Sequence, residues 1–225
     1  MKAYILGNTG TGKTATAIYF ILLNSFVNPD NTAFSNCTVK VKNFIYSEFM
    51  FLPMERIRAG NCFLMFDDYK ALSKLNNYIS VLAVLARKAN IEVFFTIQFY
   101  THLTKEVREL CQVRIEPHIK GKKLLNGLYE KTASLILDFY PSDYENDTLI
   151  FSMKIENIFQ LIDGMFNTNQ IPEFLNEYTA IQEIIKFSKN FKDVYQNVDL
   201  YCKNVRTAKR IRKEICKIME IECLY

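Results

Sequence analysis

Short blocks of apolar residues alternate along this chain with longer stretches of helical period. Lys2–Leu6 is the first block, and it ends at a glycine, as a buried strand does when it enters a tight loop. A helix is predicted from Lys13, since Thr14–Phe26 contains no Gly or Pro, and Asn28-Pro29-Asp30-Asn31 stops it. Val39 and Val41 alternate with Lys40 and Lys42, so Cys37–Tyr46 reads as a second strand. Pro53–Gly60 reads as a short helix with Pro at its start and Gly at its end. Cys62–Phe66 is wholly apolar, the pattern of a strand covered on both faces, and it runs into the acid pair Asp67-Asp68. Leu75–Ala89 is helical by period, and Ile91–Ile97 is a further apolar strand, expected beside the first and ending at Gln98. Thr104 caps a short helix to Cys111, and Val113–Glu116 is another strand. Ser134–Phe139 and Thr148–Lys154 flank a polar turn and predict a hairpin at the sheet's edge. Strands and helices that alternate in this way give a three-layer α/β fold with a mostly parallel sheet.

After Pro172 the chain becomes helical, Gly-free and basic. The expected organisation is therefore a domain over 1–170 followed by a small basic helical module over 171–225. Net charge sharpens this division. The whole chain carries +4, but Lys186–Lys217 alone carries +7, so the remainder is mildly acidic and a polyanion partner is expected at the carboxyl end.

Laid on a helix, Ala208, Ile211, Ile215, Ile218 and Met219 fall on one side. Arg206, Lys209, Arg210, Lys213 and Lys217 gather on the other, a ridge suited to phosphate contacts. The two helices before and within this segment resemble a helix-turn-helix or winged-helix unit that binds duplex DNA. The longest apolar run, Ala15–Leu23, is too short for the ~20 residues of a membrane span. The expectation is a protein that works in the cytoplasm. The six cysteines form no CxxC and lie apart from His102 and His118, so the sequence offers no zinc framework, although Cys216 and Cys223 could pair in an oxidising setting.

The chemistry is concentrated in Gly7-Asn8-Thr9-Gly10-Thr11-Gly12-Lys13-Thr14, which matches G-x-x-x-x-G-K-[ST] between a strand and a helix. Small residues let successive backbone N–H groups approach phosphate oxygens, and the helix adds the positive end of its dipole. Lys13 is then expected on the β- and γ-phosphates, with the Thr14 hydroxyl on Mg²⁺, so the ligand is a nucleoside triphosphate. Asp67, at the tip of its apolar strand, is the second candidate for the metal; Asp68 is the candidate base for the attacking water, and Gln98 the candidate sensor of the γ-phosphate.

The succession "GNTGTGKT", "FLMFDD", "LARKANIEVFFTIQ" and "VRIEP" resembles the FtsK/HerA superfamily, in particular the compact genome-packaging ATPases of viruses. The resemblance is clear over about Met1–Glu116. It implies a RecA/ASCE-like P-loop NTPase fold and a homo-oligomeric ring, usually a hexamer, that moves duplex DNA at the expense of ATP and Mg²⁺, with a capsid or assembly protein as a further partner. If the protein is viral, its cytoplasm is the host's. The resemblance also implies Arg87, from the basic pair before the fourth strand, as a trans-acting arginine finger, with Lys88 and Arg108 as competitors. One position departs from the family: Asp68 stands where most members carry Glu. The readings that compete with a DNA motor are an NTP-switched DNA-binding factor in replication or regulation, a phage-assembly ATPase, and a small P-loop kinase.

Overall fold

A computed structural model describes residues 1–47, 59–68, 81, 84–89, 91–124, 129–165, 177–202 and 204–221. Its core is an eight-stranded sheet of order β3-β2-β4-β5-β1-β6-β7-β8. The strands are β1 (Lys2–Leu6), β2 (Thr32–Ser35), β3 (Phe44–Tyr46), β4 (Cys62–Phe66), β5 (Glu92–Ile97), β6 (Val113–Lys120), β7 (Ser134–Pro141) and β8 (Phe151–Ile155). The first six are parallel to one another, and β7 and β8 close the far edge as antiparallel strands. The predicted three-layer, mostly parallel architecture is the one observed.

Side chains on a strand alternate between faces, and here the alternation assigns each half of the core. Ala3, Ile5, Phe63, Met65 and Phe94 join one apolar cluster, built with helix α1 (Lys13–Val27). Tyr4, Leu64, Phe66, Val93, Phe95 and Ile97 join the other. That second cluster also takes in Val107 and Leu110 of α2 (Lys105–Leu110), and Thr104 accepts from the Val107 N–H as the predicted cap. Strands buried on both faces are mostly apolar at successive positions, which is why the blocks are nearly solid.

Three carboxyl-terminal helices complete the second face: α4 (Glu177–Lys186), α5 (Phe191–Tyr201) and α6 (Val205–Ile218), preceded by the short α3 (Ile158–Leu161) on the α1 side. Ile184, Val194, Val198, Ala208, Ile211 and Ile215 belong to the same apolar cluster as the sheet residues. Asn190 and Asn204 cap α5 and α6 through their side-chain oxygens. No strand follows Ile155 among the described residues, so the helical pair has no wing there. The expected domain boundary near residue 170 and most of the Pro53–Gly60 helix lie outside the described residues, and of Leu75–Ala89 only 81 and 84–89 are described, all but the last as helix.

Three strand predictions are corrected. Cys37–Tyr46 is not one strand: the ladder takes Thr32–Ser35 and Phe44–Tyr46, with a loop between them. Val39 is buried and packs in the α1-side cluster with Cys37 and Val41, while the Lys40 N–H donates to the Met165 carbonyl at 2.8 Å. The alternation therefore records a loop lying on a half-buried surface rather than a strand in a ladder. Asn43, at φ 54, then turns the chain into β3. At the other edge β8 begins at Phe151 rather than Thr148, and β6 runs on to Lys120 to pair with β7.

The antiparallel edge is tied down by a buried cation that the hydropathy pattern does not reveal. Arg114 is 1% exposed; its guanidinium meets Asp147 at 2.6 Å and Glu116 at 3.1 Å, donates to the Tyr144 carbonyl at 2.8 Å, and lies 4.6 Å from the Tyr140 ring centroid. A charge taken out of water needs partners of this kind on several sides.

Candidate nucleotide site

The glycine-rich segment forms the turn between β1 and α1. Gly10 and Gly12 adopt φ of 83° and 107°, the left-handed region that glycine enters at little cost. A Cβ on Gly12 would lie 2.9 Å from Leu135 Cδ1 and 3.1 Å from Ile119 Cγ1, so this turn is pressed against β6 and β7. Around Gly10 there is open space. No side chain caps α1 and no acid lies in its first turn, leaving the amino end of the helix dipole to an anion. The Lys13 ammonium arches back over the loop and donates to the carbonyls of Gly7 at 2.8 Å and Asn8 at 3.0 Å. Burial lowers its pKa from the usual lysine value, opposed by the charges of Asp67 and Asp68.

Those two acids arrive on β4, two strands away from β1. Residue parity puts Asp67 in phase with Phe63 and Met65, on the α1 face, and its Oδ2 accepts from the Thr14 hydroxyl at 3.4 Å. A threonine hydroxyl at the start of the loop's helix thus meets a carboxylate carried in from a strand more than fifty residues later. The fold is that of a P-loop NTPase.

Around Asp67 the P-loop site is held by side chains that belong to no recognised motif. The Asn36 amide makes two hydrogen bonds to the Asp67 backbone, donating to its carbonyl and accepting from its N–H, each at 2.7 Å. The Thr96 hydroxyl donates to Asp67 Oδ1 at 2.6 Å and accepts from the Asp68 N–H at 2.7 Å. Burial raises the Asp67 pKa above the ordinary carboxylate value, against the hydrogen bonds from Thr96 and Thr14 and with the nearby Asp68 charge. Asp68 itself is exposed and sits at φ 46. The sequence does carry a signal for Thr96: it is a hydroxyl in an otherwise apolar strand, two residues before Gln98 and so on the same face. Asn36 offers none beyond following a short apolar stretch.

The two oxygens that face each other, from Thr14 and Asp67, are hard donors of the type Mg²⁺ takes, and they lie beside the uncapped helix end where a triphosphate would bind. The residues fit both groups. Gln98 follows directly on β5, the strand inserted between β4 and β1, and is exposed at the same end of the sheet. Arg87 is not brought to this site. It is exposed in the helical segment 84–88, before the amino end of β5, and six residues of strand put ~20 Å between that end and Gln98. Lys88 is exposed alongside it.

On α6 the predicted segregation holds in most positions. Ala208, Ile211 and Ile215 are buried, Met219 is half-buried, and Arg206, Lys209, Arg210, Lys213 and Lys217 are exposed. Ile218, expected on the buried side, is exposed; Cys216 is buried instead. Arg212 stacks 3.7 Å from the Tyr195 ring centroid and pairs with Asp199, which couples α6 to α5. Cys37, Cys111 and Cys202 are free thiols, and Cys223 lies outside the described residues. No cluster of three or more His, Cys, Asp or Glu among the described residues is arranged to hold a metal, and no described helix is long and apolar enough to cross a membrane.

No family model and no curated protein matches the sequence. Among solved structures, the chain is similar to the genome packaging NTPase B204 of Sulfolobus turreted icosahedral virus 2 in complex with ATP-gammaS, at 10% identity and a TM-score of 0.39 over 68% of this chain and 95% of that one. It is also similar to the DNA-packaging ATPase B204 of Sulfolobus turreted icosahedral virus, at 11% identity and a TM-score of 0.40 over 68% and 95%. A third is the N-terminal domain of zonular occludens toxin from Neisseria meningitidis, at 15% identity and a TM-score of 0.46 over 73% and 97%.

Proposed function

We propose that this protein binds and hydrolyses ATP with Mg²⁺ and uses the energy to move duplex DNA, as a subunit of a ring that packages a viral genome. The observation that carries the nucleotide part is the approach of Thr14 to Asp67 at 3.4 Å beside an uncapped helix end. Lys13 and the amides of Gly7–Thr14 bind the phosphates, and Thr14 and Asp67 are the metal's protein donors. Bound there, Mg²⁺ neutralises charge on the phosphate oxygens. Asp68 takes the proton of the attacking water, and Gln98 orients that water from the next strand. Arg87, exposed and remote from its own site, acts in trans on a neighbouring subunit's nucleotide.

The DNA part is supported by the resemblance to packaging ATPases together with the exposed cations of α6, which suit contacts to phosphates rather than to base edges. The deciding experiment is steady-state ATPase activity of the wild type and Lys13→Ala, with and without duplex DNA. Stimulation by DNA, lost in Lys13→Ala, supports the motor. A rate indifferent to DNA overturns it.

One observation favours a second reading. Asp68 is one methylene shorter than glutamate, so its carboxylate reaches less far from the strand's end. An NTP-switched DNA-binding factor with slow turnover would show nucleotide-dependent DNA binding and negligible hydrolysis.

A further inference from the structure

We infer that Thr96 is the positioning residue that fixes both acids of the nucleotide site, so that the metal affinity of Asp67 and the reach of Asp68 depend on one hydroxyl. This inference rests on the nucleotide reading above.

A threonine hydroxyl has one proton to donate and lone pairs to accept with. Here the proton goes to Asp67 Oδ1 at 2.6 Å, and an oxygen lone pair receives the Asp68 N–H at 2.7 Å. By taking Oδ1, Thr96 leaves Oδ2 of the same carboxylate aimed at Thr14. By holding the N–H of residue 68, it pins the backbone of a non-glycine residue at φ 46, a conformation that persists only where neighbours impose it. The side chain is 1% exposed, so water does not compete for these bonds. Asn36, the residue after β2, fixes Asp67 from the opposite side, and its two hydrogen bonds go to that residue's backbone rather than to its carboxylate. Thr96 is thus the group among these that engages both acids, and it lies on β5 two residues before Gln98, which follows the strand. Hydrogen-bonding partners behind a metal ligand orient it, and losing one typically weakens metal affinity about 10- to 100-fold.

The test titrates a fluorescent ATP analogue onto wild type, Thr96→Val and Thr96→Ser, with Mg²⁺ and with EDTA, beside kcat and KM for ATP and the thermal midpoint of each. Valine keeps the shape and removes the hydroxyl; serine keeps the hydroxyl. Thr96→Val is expected to lose about 10-fold or more of the Mg²⁺-dependent affinity, with EDTA affinity unchanged because the loop amides and Lys13 are intact. Its kcat falls in the same variant, and Thr96→Ser restores both. Should Thr96→Val fail to fold, Thr96→Ala, which leaves room for water, is read by the same criteria. Wild-type values in the valine or alanine variant overturn the inference, as does equal loss in the serine and valine variants, which would mark a packing role. A wild type whose nucleotide binding ignores Mg²⁺ would overturn the nucleotide reading itself, an outcome distinct from both.

Discussion

Lys13 donates to loop carbonyls at 2.8 and 3.0 Å and lies within the field of Asp67 and Asp68. Lys13→Ala is expected to abolish detectable nucleotide binding in a filter or fluorescence assay while the thermal midpoint moves little, because the loop's turn is set by glycines rather than by the ammonium. Asp67 gives a pH prediction. Burial raises its pKa, so the folded chain holds this proton more tightly than the unfolded one. Its contribution to stability is full below the ordinary carboxylate value and is lost as pH climbs through the raised one. Asp67→Asn should therefore match or exceed the wild-type midpoint at neutral pH, with the difference shrinking on acidification, although Mg²⁺-dependent binding is lost. A variant several degrees less stable at neutral pH would show that the carboxylate's charge supports the fold. Most of these residues are readable in the sequence, since Lys13, Thr14 and Asp67 stand at fixed places in a motif. Thr96 shows only as a hydroxyl two residues before Gln98 and Asn36 not at all, and neither role is readable, because their partners are distant in sequence and a single hydroxyl or amide has no period.

At the scale of the element, helix α6 joins two roles on opposite faces. Its inner face is secured by Ile211 and Ile215, both buried in the cluster shared with the sheet. Ile211→Ala should cost about 2–5 kcal/mol in a denaturant titration, since the site cannot fully collapse around the missing carbons. Its outer face carries Lys209, Arg210 and Lys213. Replacing these three with alanine should weaken duplex DNA binding across sequences alike and flatten the plot of log affinity against log salt by about 0.9 for each phosphate that is no longer neutralised. An unchanged slope would remove this ridge from the DNA interface. The helix's period is plain in the sequence, and so is its charge separation. The exposure of Ile218 is not, because a helix end is covered only as far as its neighbours extend. The same reason explains Cys37–Tyr46: alternation says that one side is covered, and a loop against α1-side residues satisfies that as well as a ladder does.

For the whole molecule, the remoteness of Arg87 from its own chain's site makes the proposed assembly testable by a single measurement. Light scattering in the presence of an ATP analogue and DNA should give the mass of a ring, and mixing wild type with Arg87→Ala should depress activity more than in proportion to the fraction of variant. A chain that stays monomeric while turning over ATP at its full rate would rule out a trans finger. Sequence alone determined the three-layer class, the phosphate loop and the identity of the acid strand, because solid apolar blocks, glycine spacing and a charge at a strand's end are local properties of the chain. The expected adjacency of β5 to β1 and the β7–β8 hairpin at the edge are observed, but only the tertiary structure decided that β5's other neighbour is β4 and that β7 pairs antiparallel with β6. It alone decided that Asn36, Asp67 and Thr96 meet. Strand order and buried polar pairings depend on residues far apart in the chain coming together, and the free energy of those pairings is decided by the assembled sheet rather than by any segment of it.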